Sequence, residues 1–251
     1  EILPQDPQRE EKLKLWFKKN NTPVSFGEAF RNAKGLALLA LPGGGKTLLL
    51  KRLAVAYASP DRREKSNDDL PDIDITPILI KCREWRDHIK LPLPTILKKI
   101  GEITGNSKLS GLYAALVPLL QEGKILLLID GLDEIHDDAD RSIFVENLQK
   151  FLDEYPLIKL VVTSREAGFS LVAPCIARFC EQWRVAPLDS EAIALLCDYW
   201  HQLMSGDSPE AKSDGKDVST HLLGSPALRR LAENPLLLTM LLVVKNGAGR
   251  L

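Results

Sequence analysis

An apolar run, Leu36-Ala37-Leu38-Leu39-Ala40-Leu41, breaks at Pro42-Gly43-Gly44-Gly45-Lys46-Thr47 and gives way to a leucine-rich stretch over residues 48–57. The run reads as a buried strand, the glycines as a loop, and the spaced leucines as the inward face of a helix. Such a loop leaves backbone N–H groups free to point inward as an anion nest, and the helix N-terminus adds the positive end of its dipole. That is what a chain needs to hold a triphosphate tail. Pro42, Gly43, Gly44, Gly45 and Leu48 would form the cradle, Lys46 would reach the β and γ phosphates, and the Thr47 hydroxyl is placed to ligate Mg²⁺. One position departs from the pattern G-x-x-x-x-G-K-[ST]: Ala40 stands where the first glycine is usual.

The rest of the chain alternates in the same way. Residues 8–20 read as a charged helix, residues 22–34 as a loop with a short helix, and residues 59–74 as a polar surface loop. Strands are predicted over 75–81, 124–130 and 158–163, with helices over 93–104, 109–122 and 139–154. The run Ile125-Leu126-Leu127-Leu128-Ile129 is apolar at every position, as a strand buried on both faces of a parallel sheet requires. A fifth, less regular strand lies around residues 183–185. From Ser190 the pattern is helical only: 190–204, capped by Asp189 or Ser190, then 218–223, 226–232 and 235–244, with a polar loop over 205–216. The expected fold is α/β, a mostly parallel five-stranded sheet flanked by helices and followed by a small all-helical domain. The expected divisions are residues 1–32 as an N-terminal segment, 33–187 as the sheet domain and 188–251 as the helical domain.

Bulk properties narrow the partners. With 33 Lys and Arg against 34 Asp and Glu, the net charge of −1 gives no general attraction to nucleic acid or anionic membrane. No apolar run approaches the roughly 18 residues that span a bilayer. No signal peptide is evident, so a cytoplasmic location is the expectation. The abrupt ends, without an initiator methionine, suit a piece of a longer protein. Cys82, Cys175, Cys180 and Cys197 lack Cys-x-x-Cys spacing and read as buried free thiols rather than metal ligands.

Three further constellations sit at predicted element ends. In Ile129-Asp130-Gly131-Leu132-Asp133-Glu134, a carboxylate falls at the tip of a buried strand, beside the glycine loop, where open α/β sheets bind ligands. Asp130 would hold Mg²⁺ through its water shell, and Asp133 and Glu134 are close enough to orient a water on the γ-phosphate. The same acids would also suit a solvent-facing turn. In Val162-Thr163-Ser164-Arg165, a second buried strand ends in an arginine able to sense the γ-phosphate through charge-assisted hydrogen bonds. A surface arginine without a role is the alternative. Asn234-Pro235-Leu236 places a proline in the first turn after an asparagine cap, which is also normal helix chemistry.

Read in order, these elements resemble the NACHT family of P-loop NTPases, within the signal-transducing STAND ATPases. The resemblance runs from about residue 33 to 244. It implies that Lys46 and Thr47 bind phosphates and Mg²⁺, that Asp130 acts at the metal, and that Asp133 and Glu134 support hydrolysis. Arg165 would be the first sensor, and Pro235 would pack near the adenine or ribose. Ser25-Phe26-Gly27-Glu28 lies where relatives often carry a base-contacting segment. The implied activity is a nucleotide-gated signalling switch with slow Mg²⁺-dependent ATP hydrolysis, holding ADP when closed and self-associating when ATP opens it. Innate immunity is one setting the family implies. A winged helix, a sensing region and an effector would be expected to flank this core, their triggers and outputs unspecified. Adenine over guanine rests on the resemblance, since no Asn-Lys-x-Asp run occurs.

Two other readings compete. A motor ATPase of the AAA+ type acting on a macromolecule usually carries glutamate directly after the metal aspartate, where Gly131 stands here. A P-loop kinase for a small molecule needs an arginine-bearing lid and an acceptor pocket, which the helical tail does not clearly offer.

Overall fold

The computed structural model describes residues 23–59, 61, 69–109 and 111–248. The charged helix expected over 8–20 lies outside the described residues, as does half of the loop expected over 59–74.

Five strands form one all-parallel sheet: β1 (Gly35–Leu39), β2 (Thr76–Lys81), β3 (Ile125–Asp130), β4 (Lys159–Ser164) and β5 (Glu181–Arg184), in the order β2-β3-β4-β1-β5. Successive side chains of a strand point to opposite faces, so a strand apolar at every position must be covered twice. On β3, Ile125, Leu127 and Ile129 enter one core with α3 (Leu93–Lys98), α5 (Leu112–Gln121) and α6 (Asp138–Glu154). Leu126 and Leu128 enter the other, with α1 (Phe26–Asn32) and α2 (Lys46–Ala58). Leu36 and Leu38 face the second core while Ala37 and Leu39 face the first, which makes three layers, helix on sheet on helix.

After β4 come two short helices, α7 (Glu166–Phe169) and α8 (Ala173–Ile176), and then β5 on the open side of β1. The remaining helices, α9 (Ser190–Ser205), α10 (Pro209–Gly224), α11 (Pro226–Ala232) and α12 (Pro235–Ala248), pack on a core of their own. That core holds Ile193, Cys197, Val218, Leu222, Leu238 and Leu242. Asp189 caps α9 by accepting the Ala192 N–H at 2.8 Å.

The structure departs from the sequence expectation in several places. The predicted loop over 205–216 is mostly helix: α10 begins at Pro209, where a missing N–H costs nothing. Its two glycines differ in kind. Gly206 breaks the chain between helices at φ 82°, whereas Gly215 lies inside α10 against α9. A Cβ on Gly215 would meet Asp198 at 2.7 Å from Oδ1 and 3.0 Å from Cα, so here glycine serves close packing rather than a turn. The helix expected over 93–104 divides at Lys99 into α3 and the short α4 (Ile100–Ile103). A 3₁₀ segment, Cys82–His88, follows β2 and buries Trp85, which no periodicity announced. Cys175 is only half-buried, while the other three cysteines are buried. Burial pushes the Cys180 thiol up to about 12 and, with Asp198 adding to it, Cys197 up to about 11, so these sulfurs stay protonated and inert.

Gly215→Ala checks the helix contact. In an open helix interior this change stabilises by roughly 1 kcal/mol. Against α9 it should instead destabilise by about 1–3 kcal/mol through overpacking. Gly224→Ala, where an added Cβ meets nothing within 4 Å, is the control and should be neutral or stabilising in thermal unfolding.

Candidate functional site

The site lies at the carboxyl edge of the sheet, where β1, β4 and β3 end side by side. From β1, Ala40 donates its N–H to the Ser164 carbonyl at 3.4 Å, and the chain then turns through Gly43 (φ 77°) and Gly45 (φ 86°) into α2. Both glycines sit in the left-handed region that side chains resist. Ala40 does not, since no residue other than glycine has positive φ among the described ones. Its methyl instead fits because Gly44, whose Cβ would lie 3.0 Å from it, carries no side chain. No side chain caps α2, so its first-turn amides are left at the wall of a cleft.

That cleft, of about 380 Å³, is lined by Pro42, Gly43, Gly44, Gly45, Lys46, Thr47, Leu48, Asp130, Asp133, Glu134, Arg165 and Pro235. These are the phosphate, metal, hydrolysis and sensor candidates named from the sequence, together with Pro235. Gly131, Leu236 and Thr239 complete it. Ser25 to Glu28 do not line the cleft, and Ser25 serves as the N-cap of α1.

Lys46 folds its ammonium back over the loop, donating to the Ala40 carbonyl at 2.9 Å and to that of Leu41 at 3.4 Å. Burial holds its pKa below the usual lysine range. The Asp133 charge works against this, the Arg165 charge with it, and Asp130 and Glu134 again against.

Asp130 is nearly buried at the tip of β3, 6% exposed, and a buried carboxylate needs a donor. Thr163, beside it on β4, donates its hydroxyl to Asp130 Oδ1 at 2.9 Å and accepts the Gly131 N–H at 2.9 Å. Gly131, at φ 76°, turns the chain away at once, and a Cβ there would strike the Glu134 carboxyl at 2.9 Å. Asp133 is engaged on both oxygens: Oδ1 accepts the Arg165 backbone N–H at 2.9 Å, and Oδ2 lies 3.2 Å from Arg165 Nε. The Glu134 carboxylate holds no hydrogen bond or ion pair among the described residues and lines the same cleft.

From the helical side, Asn234 reaches the loop. Its Nδ2 donates to the Pro42 carbonyl at 2.9 Å, while its Oδ1 accepts the N–H groups of Leu236 and Leu237 and so caps α12. The Leu236 N–H also reaches the Gly43 carbonyl at 3.3 Å. Gly43 has no room for a side chain, since its Cβ would lie 2.7 Å from Asn234 Oδ1 and 2.8 Å from Leu236 Cβ.

Sequence reasoning gave Thr163 and Asn234 no individual role at the site. A threonine breaking an apolar run at a strand tip was the available signal for the first. The second read as an ordinary cap, and the amide on its far side is visible only once the two parts of the chain are brought together. Thr239, which donates to the Pro235 carbonyl one turn back, shares that helix face.

The family model NACHT domain matches residues 37–203, from β1 into α9 and well over half of the chain. The chain belongs to the NACHT family. Its sheet, loop and acidic strand tip are therefore those of a P-loop NTPase. Among curated proteins nothing matches this NACHT chain significantly. Solved structures similar to it include domain III of the replication initiation protein DnaA from Thermotoga maritima, at TM-score 0.46 and 15% identity, covering 99% of this chain and 88% of that one. A Walker-type ATPase of Pyrococcus abyssi gives 0.47 and 16%, over 90% and 66% of the two chains. A katanin structure from work on katanin self-assembly gives 0.45 and 16%, over 84% and 57%.

No helix among the described residues of the NACHT chain is long and apolar enough to cross a membrane. Among them, too, no group of three or more His, Cys, Asp or Glu could hold a metal ion by itself. Asp130 and Thr47 would hold Mg²⁺ only together with phosphate oxygens and water, which is the usual manner for that ion. The fit is good on the protein side: Asp130 Oδ2 has no hydrogen-bond partner among the described residues, and Thr47 is exposed at the cleft.

The contact between α12 and the loop is separable from the cap. Asn234→Ala removes both and should cost about 1 kcal/mol in unfolding. Asn234→Asp keeps the cap acceptor and loses the donor to Pro42. It should leave helix content intact while hydrogen exchange quickens at the loop amides around Gly44.

Proposed function

We propose that this chain is an ATP- and ADP-binding switch core, in which residues 33–187 bind nucleotide with Mg²⁺ and residues 188–251 close over it from the helical side. The observation that carries this reading is the double lining of one cleft: the glycine loop and acidic strand tip on one wall, Pro235 and Thr239 on the other, with Asn234 bonded to Pro42 between them.

In this reading Lys46 exchanges its carbonyl partners for the β and γ phosphates, and the uncapped amides of α2 receive the same anion. Bound Mg²⁺ would neutralise charge on the phosphates. Asp130 and Thr47 would hold it, with Thr163 keeping the carboxylate oriented. Asp133 and Glu134 support slow hydrolysis, and the unengaged carboxylate of Glu134 is the one free to orient water. Arg165 faces the γ-phosphate, and Pro235 packs near the adenine or ribose. Signalling in the cytoplasm, and self-association of a longer ATP-bound protein, are the uses the family relationship suggests.

Nucleotide extracted by acid from freshly purified protein tests the reading directly. Recovery of ADP or ATP is expected; recovery of neither, with no measurable binding of either, would sink it. Lys46→Ala should weaken nucleotide binding about a hundredfold or more, because it leaves phosphate charge uncompensated in a partly buried site. Glu134→Gln should keep affinity and slow hydrolysis by about a hundredfold, as loss of a positioned base does.

A further inference from the structure

Asp133 and Glu134 are neighbours in sequence and both line the cleft, yet their carboxylates are used differently. The Glu134 carboxylate holds no hydrogen-bond or ion-pair partner among the described residues, whereas both oxygens of Asp133 are spent on Arg165, one on its backbone N–H and one on Nε. The Asp133 side chain is only 11% exposed, against 54% for that of Arg165. An ion pair so open on one side adds little to stability. What it does fix is direction, because a carboxylate holding both the amide and Nε of one arginine leaves that side chain few orientations.

The packing behind Asp133 is equally specific. Gly168, in α7 just after Arg165, lies against it so closely that a Cβ would come 2.5 Å from Asp133 Cβ and 3.0 Å from its Cα. The turn that carries the acids (Leu132–Glu134) and the turn that follows β4 are thus pressed together, with Asp133 and Arg165 at the seam.

We infer that Asp133 is a positioning residue for Arg165, and that Gly168 keeps the space this requires, so that the pair sets how the site tells ATP from ADP. The inference rests on the proposed nucleotide switch and divides the labour between its two acids. Glu134 addresses the water, and Asp133 addresses the arginine that meets the third phosphate. Since Arg165 Nε is held by Asp133, its terminal Nη groups are the ones left for an incoming anion.

The test uses the intact chain and three variants, Asp133→Ala, Gly168→Ala and Arg165→Ala, with affinities measured for ADP and for a non-hydrolysable ATP analogue. Asp133→Ala should lower the ratio of analogue to ADP affinity roughly ten- to a hundredfold. Gly168→Ala, which removes no charged group, should lower the ratio in the same direction. Adding Asp133→Ala to Arg165→Ala should change the ratio no further. In nucleotide-free protein, amide exchange at Arg165 should quicken in Asp133→Ala, which reads the contact without any ligand. An unchanged affinity ratio with impaired hydrolysis would place Asp133 on the water and overturn the inference. Equal losses for both nucleotides, or additive losses in the double variant, would overturn it as well. A wild-type chain that binds neither nucleotide would overturn the switch reading and this one with it, whereas the other outcomes overturn this one alone.

Discussion

The position of β4 between β1 and β3 is the constraint on which the site depends. In an all-parallel sheet every strand ends at the same edge, and this order sets the tip of β4 between the glycine loop and Asp130. Thr163 can therefore bond Asp130 and Gly131 together, and Arg165 can bond Asp133 across the neighbouring strand ends. Placed on an edge strand, the same residues would be too far from both walls of the cleft. The central strands can hold this order because each is apolar on both faces. That in turn requires helices on both sides and the long crossovers that carry them.

Burial and charge then work against one another at that edge. The lining holds Lys46 and Arg165 against Asp130, Asp133 and Glu134, so the acids outnumber the cations before any phosphate arrives. Arg165 is compensated by Asp133 and Asp130 by the Thr163 hydroxyl, which leaves Lys46 on neutral carbonyls and Glu134 alone. Lys46 and the Nη groups of Arg165 are thus the cationic groups left for an incoming phosphate, while the Glu134 carboxylate stays unengaged beside them. For Lys46, burial lowers the pKa below the usual lysine range, and a phosphate beside it would raise it again.

The elements that a short-range pattern can carry were legible. The five strands and the helices α2, α6 and α9 follow from runs of apolar residues, from glycine and from an aspartate cap. The residues singled out at the glycine loop and at the ends of β3 and β4 line one cleft, because a strand end followed by polar residues marks the carboxyl edge of a parallel sheet whatever the strand order is; Pro235 joins them from the helical side, and Ser25 to Glu28 do not. What was not legible depends on packing between distant elements. Gly215 reads as a loop former in sequence, and only the approach of α9 shows that it is a contact residue. Asn234 reads as a cap, and only Pro42, 192 positions away, shows its second bond. The division between Asp133 and Glu134 is likewise invisible in sequence, since two adjacent acids look alike until Arg165 selects one.

The helical part of the chain has its own core, and near the loop it is held by hydrogen bonds from Asn234 and Leu236 at exposed positions. Each such bond contributes about 0.5–1.5 kcal/mol. On the proposed reading, moving a closed state from 99:1 to 1:99 takes about 5.5 kcal/mol of difference between two ligands. A third phosphate cannot supply that by touching the sheet alone, because a ligand shifts an equilibrium only through contacts that differ between the two states. Lys46 and Arg165 belong to the sheet side, and Pro235 and Thr239 to the helical side. The shared element is the segment from Pro42 to Gly43, whose carbonyls bond Asn234 and Leu236 while its neighbours Gly44 to Lys46 would cradle the phosphates on the proposed reading. When Lys46 leaves the carbonyls of Ala40 and Leu41 for a phosphate, the chain just before Pro42 loses its cation. On the proposed reading, that segment is where the helices would read the number of phosphates.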